Sequence, residues 1–113
     1  MTTITINEYK LCNNKIKSFI GVMLKKKFVP HVFFGKNKLA NNNKFSIHTF
    51  FCKTIDLVVL DKDNKVILIW DMLPKNQTFK FEGNKFIEFQ SGIYPLEIDK
   101  GDIIEFETKE LLS

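Results

Sequence analysis

The chain contains no arginine; all seventeen of its basic residues are lysines. Arginine is the side chain best suited to bidentate recognition of bases and phosphates. Its absence argues against a protein that reads nucleic-acid sequence. Cysteine is nearly absent too. Cys12 and Cys52 are too few for a disulfide framework in 113 residues, so two free thiols are expected. Long apolar runs are missing. Runs such as residues 57–60 and 66–70 are short, against the roughly 18 residues of a membrane-crossing helix. The opening Met-Thr-Thr-Ile-Thr-Ile-Asn lacks the basic-then-apolar pattern of a signal peptide. These absences predict a soluble, cytoplasmic protein.

What is present fits one folded domain over residues 1–113. The chain is 44% hydrophobic and 13% aromatic, with twelve phenylalanines, enough to bury one core without staples. Charge is uneven. Residues 1–53 hold ten lysines and one acid, Glu8, whereas residues 54–113 hold seven lysines and twelve acids. A basic first half can mark a polyanion-binding face. In a small β domain, however, sequence halves interleave in space and need not form separate faces.

Patterning predicts mostly strands. Residues 2–6 alternate Thr and Ile as a first strand, which 9–12 extend or pair with. Asn13 or Asn14 caps a short helix over 15–23, with Ile16, Phe19, Ile20 and Met23 at helical spacing. Residues 29–34 form a strand that Pro30 marks as an edge or a start. Residues 35–44, rich in Asn and Lys, read as a flexible loop. Strands over 45–51 and 55–60 flank a bend at Lys53-Thr54. Asp61 to Lys65 is a hairpin turn leading to a partner strand over 66–73, stopped by Pro74. A short strand around Phe79 and Phe81, another over 85–89 and a last one over 103–107 complete the chain. Six to eight short strands and one short helix predict a mainly β barrel or sandwich. The doubly apolar runs 55–60 and 66–70 belong in its middle.

Ser46 to Asp61 concentrates the groups able to do chemistry: His48, Thr49, Cys52, Thr54 and Asp56. Around it, motifs recur in a characteristic order. Gly21-Val22-Met23 ends the helix, and Val32-Phe33-Phe34 lies in a strand. His48-Thr49-Phe50-Phe51-Cys52 is followed by Thr54-Ile55-Asp56. The Asp-rich hairpin and Pro74 come next, then Ile87-Glu88-Phe89 with Gly92, and finally Gly101-Asp102. In this order the chain resembles the uncharacterised prokaryotic family called domain of unknown function 192 (UPF0127), and its central block is similar to that of archaeal members. The resemblance implies a compact, mainly β domain with a short helix, and no reaction. Where the family has an Arg a turn before the helix-end motif, this chain has Ser18. Cys52 and Thr54 replace the family's Met and Pro.

Cys52, His48 and Asp56 are the residue types of a nucleophile, a base and an orienter. Four residues along a strand separate His48 from Cys52 by about 13 Å, far beyond hydrogen-bond reach, which leaves His31 as the other imidazole for Cys52. No Cys-x-x-Cys or His-x-x-x-His spacing is present, so neither a metal nor a cofactor is expected. The bland readings are structural. His48 is a partly buried strand histidine, and Asp56 accepts backbone N–H groups at the bend. Trp70 is core, and Glu88 is solvated or paired with a lysine. Gly21 permits close packing of the helix, and Gly92 breaks the chain. At Gly101-Asp102 the glycine supplies a positive φ and the aspartate anchors the backbone. The leading functional reading is a small binding module, with a small-molecule or protein partner, whose site joins Met23, His48, Thr49 and Asp56. The alternative is a hydrolase-like enzyme using His48 and Asp56, with or without Cys52. Weak polyanion binding through the lysines of residues 1–53 ranks third.

Overall fold

The structure is a computed structural model that describes residues 2–6, 9–12, 30–49, 55–74, 76–90 and 97–107. Nine strands run through these residues: β1 (Thr3–Ile6), β2 (Lys10–Cys12), β3 (His31–Phe34), β4 (Asn43–His48), β5 (Ile55–Leu60), β6 (Val66–Trp70), β7 (Thr78–Gly83), β8 (Lys85–Gln90) and β9 (Ile103–Phe106). The domain is mainly β, with one strand more than the upper expectation. The helix expected over 15–23 lies outside the described residues. No helix among the described residues is long and apolar enough to cross a membrane.

The centre is a five-stranded sheet in the order β2-β3-β8-β5-β6. Its middle strands are apolar on both faces because both faces are covered. On one side lies the parallel pair β1–β9. In β1 the threonines face out while Ile4 and Ile6 point in, as the two-residue period of a strand requires. Ile4, Ile6 and Ile104 join Val32, Val58, Leu60, Ile87 and Phe89 in the first core. On the other side lies an antiparallel ribbon, β4–β7. Phe45, Ile47 and Phe81 of the ribbon pack with Ile55, Leu57, Val59 and Phe86 in the second core.

Pairing differs from expectation in three places. β2 pairs with β3 rather than with β1. β3 is bonded to β2 and β8, so it is not the edge strand that Pro30 suggested and offers no free edge for a dimer. Pro30 precedes the first ladder residue, where its missing N–H costs nothing. β6 ends the described sheet instead of occupying its middle; its Ile67 to Trp70 side chains are half-buried.

Turn chemistry ties the sheets together. Asp61 Oδ1 accepts the amides of Asp63 and Lys65, both at 2.9 Å. Asn64 adopts φ 64°, a left-handed conformation that Asn tolerates. The buried Lys85 ammonium donates to Asn64 Oδ1 and to the Asp61 carbonyl. Burial lowers the Lys85 pKa, and the charges of Asp61 and Asp63 oppose that shift. The loop between β3 and β4 is held by two asparagines. Asn43 Nδ2 donates to the carbonyls of Asn37 (2.8 Å) and Ala40 (3.0 Å). Asn84 Nδ2 donates to those of Lys38 (2.9 Å) and Ala40 (2.8 Å). Asn84 is buried, so Asn84→Ala strands polar groups and is expected to cost about 1–3 kcal/mol. Urea unfolding of the two proteins measures this directly.

Candidate functional site

The central block is assembled around the connection between β6 and β7, of which residues 71–74, 76 and 77 are described. Its backbone is irregular, with Met72 at φ 52° and Asn76 at φ 60°. Such a segment cannot satisfy its own amides through a ladder, so side chains from neighbouring strands must do it.

Thr49, directly after β4, is 2% exposed. Its hydroxyl donates to the Pro74 carbonyl at 2.6 Å and accepts the Gln77 amide at 3.0 Å. Its own backbone N–H bonds the Gln77 carbonyl, and its carbonyl accepts the Asn76 amide. Asp56, second residue of β5, accepts the Met72 amide on Oδ1 at 2.8 Å, one residue before the Leu73 amide bonds the Ile55 carbonyl. Two strands thus hold the two halves of one connection. Asp56 binds this connection; the bend expected at Lys53-Thr54 lies outside the described residues.

His48 takes a different position. It closes β4 on the outward face, exposed rather than partly buried, with Lys44 and Ser46 on the same parity. Its Nδ1 lies 2.8 Å from Thr78 Oγ1, its register partner on β7. The outer face of the ribbon therefore pairs His48 with Thr78, Ser46 with Lys80 and Lys44 with Glu82. An open depression of about 450 Å³ lies on this ribbon, lined by Lys44, Phe45, Ser46, Lys80, Phe81 and Glu82.

The other candidates divide. Gly101 has φ 96°. Asp102 accepts the amides of Asp99 (2.9 Å) and Thr2 (3.0 Å), and these bonds hold its carboxyl below the ordinary range. Gly21, Met23, Cys52 and Gly92 lie outside the described residues. Among the described residues no group of three His, Cys, Asp or Glu is placed to hold a metal ion.

Glu88 is the residue that the sequence reading misjudged. It is not solvated: it is 7% exposed, opposite the fully buried His31 on β3. Burial pushes its pKa up to about 8. The signal was available. Lys-Phe-Ile-Glu-Phe is apolar on both parities, which marks a strand covered on both faces, and Glu88 shares the parity of Phe86.

No protein-family profile and no curated protein sequence matches the chain. Its fold, however, is found in solved structures. One is a protein of unknown function from Novosphingobium aromaticivorans DSM 12444, with TM-score 0.60 and 11% identity, covering 75% of this chain and 64% of that one. Another, from Sinorhizobium meliloti 1021, is described as a "putative transcription regulator"; TM-score is 0.60 and identity 10%, covering 74% of this chain and 68% of the other. The chain thus spans less than two thirds of the first of these proteins. At such identities the likeness is one of fold.

Proposed function

We propose that the chain is a small binding or interaction module of the domain of unknown function 192 kind, and that its contact surface is the outer face of the β4–β7 ribbon. The observation that carries this reading is the commitment of Thr49 and Asp56 to backbone. With Thr49 Oγ1 and Asp56 Oδ1 engaged on residues 71–77, the block works as a clamp, and His48 is its outward-facing polar group. An enzyme using His48 and Asp56 needs the two in mutual reach. Here His48 meets the Thr78 hydroxyl and Asp56 meets the Met72 amide.

The ribbon face mixes signs, with Lys44 opposite Glu82 and Lys80 opposite Ser46. Such a face suits a polar small molecule or a peptide segment better than a continuous polyanion. The description of the Sinorhizobium neighbour brings oligonucleotides into the test all the same.

The test is thermal unfolding against metabolites, metal ions, peptides and oligonucleotides, with the native chain and His48→Ala side by side. Substitution at this exposed position is expected to change stability by no more than about 0.5 kcal/mol. A polar ligand at 100 times its dissociation constant is expected to add about 2.7 kcal/mol to the native chain and much less to the variant. Stabilisation by oligonucleotides alone would contradict the reading, as would equal stabilisation of both chains by every ligand that binds.

A further inference from the structure

The depression on the outer face of the ribbon, about 450 Å³ in volume, carries charges whose layout narrows what can occupy it. Its polar lining comes from two neighbouring rows of the β4–β7 ladder. In one row Ser46 stands opposite Lys80; in the other Lys44 stands opposite Glu82. Residues two apart on a strand share a face, so all four side chains rise from the same side of the ribbon. Phe45 and Phe81 occupy the ladder position between the rows and pack into the second core, which anchors the floor. Lys44, Lys80 and Glu82 are exposed, and Ser46 is half-buried. Among the described residues no side chain bonds to the three charged heads, so all three are available to a ligand.

We propose that this depression binds a zwitterion of dipeptide length, with its carboxylate at the Ser46–Lys80 row and its ammonium at Glu82; the proposal rests on the ribbon-face reading above. Ser46 and Lys80 both donate hydrogen bonds, and a carboxylate only accepts them. As register partners their Cβ atoms are about 5 Å apart, so one carboxylate can meet both. Lys44 is the diagonal neighbour of Lys80, a spacing that long side chains bridge, and it adds a second positive charge at this end. Glu82 is the acceptor that an ammonium requires.

Sign and length decide the class. A dianion would meet both lysines but face Glu82, and a dication would meet Glu82 but face both lysines. A zwitterion sets each of its charges against the opposite one. The two rows are two residues apart along the strands, about 7 Å. An extended dipeptide spans about 7 Å between its ends, whereas a single amino acid covers roughly half of that. Longer peptides carry their termini past the two rows. The volume of the depression lies within the range of small-ligand sites, about 300–1,000 Å³.

The test is a titration of ¹⁵N-labelled protein with L-alanyl-L-alanine, with its N-acetyl form and with its C-terminal amide. The free dipeptide is expected to shift the amides of residues 44–46 and 80–82. Blocking either end is expected to weaken binding about fivefold, the size of one exposed charge pair. Glu82→Gln and Lys80→Met change exposed side chains, so both variants are expected to keep the native fold. Glu82→Gln should weaken the free dipeptide about fivefold and leave the N-acetyl form unaffected; Lys80→Met should weaken it likewise and leave the amide unaffected. Equal affinity for free and blocked dipeptides overturns the zwitterion and leaves the ribbon face standing as a contact surface. Unmoved amides at 44–46 and 80–82 overturn the zwitterion as well. If every other ligand that stabilises the chain also leaves these amides unmoved, the ribbon-face reading falls with it.

Discussion

Thr49→Val is expected to lower the unfolding free energy by about 1–3 kcal/mol, because it removes two hydrogen bonds made by a buried hydroxyl. Valine has nearly the shape of threonine, so packing changes little. What is lost is the hydroxyl that donates to Pro74 and accepts from Gln77. Thr49 is 2% exposed, so water cannot easily replace the missing oxygen. The control is Thr78→Val. Thr78 is exposed and bonds the His48 ring, and its loss is expected to stay within about 0.5 kcal/mol. Urea unfolding of the three proteins checks both. If Thr49→Val costs no more than Thr78→Val, the block does not hold the connection.

A comparable loss, about 3 kcal/mol, is expected from Gly83→Ala, at the upper end of overpacking effects. Gly83 is where the ribbon returns to the central sheet, one residue before the buried Asn84. A Cβ at this position would lie 2.4 Å from Val59 Cγ1 and 3.3 Å from the Leu60 carbonyl oxygen. Val59 is fully buried in the middle of β5 and is stiff at χ1, so it cannot turn away cheaply. The ribbon would have to lift, opening the second core. Val59→Ala creates room for the new methyl group. The double variant is therefore expected to lose less than the two single variants together, by about 1 kcal/mol or more. Additive losses would show that Gly83 matters for some reason other than this contact.

Local elements were legible where chemistry is local. The alternation of Thr and Ile over residues 2–6 and the turn at Asp61 to Lys65 require only the period of a strand and the conformational tastes of Asp and Asn. Pairing was not legible. β1 meets β9, about a hundred residues away in register, as Thr3 with Ile103, and no short-range pattern encodes a parallel partner at that distance. The β5–β6 hairpin is inserted between the two strands of the ribbon, which hid the partnership of β4 with β7. Pro30 allowed two readings, start or edge, and only the position of Lys10 to Cys12 on its far side decides between them. At the site, the residue types of the central block were visible. Their targets were not, because the Pro74 carbonyl and the amides of Met72 and Gln77 have no signature in sequence. Glu88 failed differently: its charge was weighed, while the apolar run around it was not.

The most direct test of the clamp is amide hydrogen exchange at Met72, Asn76 and Gln77 in the native chain, Asp56→Ala and Thr49→Val. The predicted native result is protection at all three amides, since each has an acceptor on Thr49 or Asp56. Asp56→Ala should release Met72 first, and Thr49→Val should release Gln77, with the β5–β8 ladder still protected in both. Native amides at 72, 76 and 77 that exchange as fast as exposed loop amides would contradict the account and return Thr49 and Asp56 to the list of groups available for chemistry.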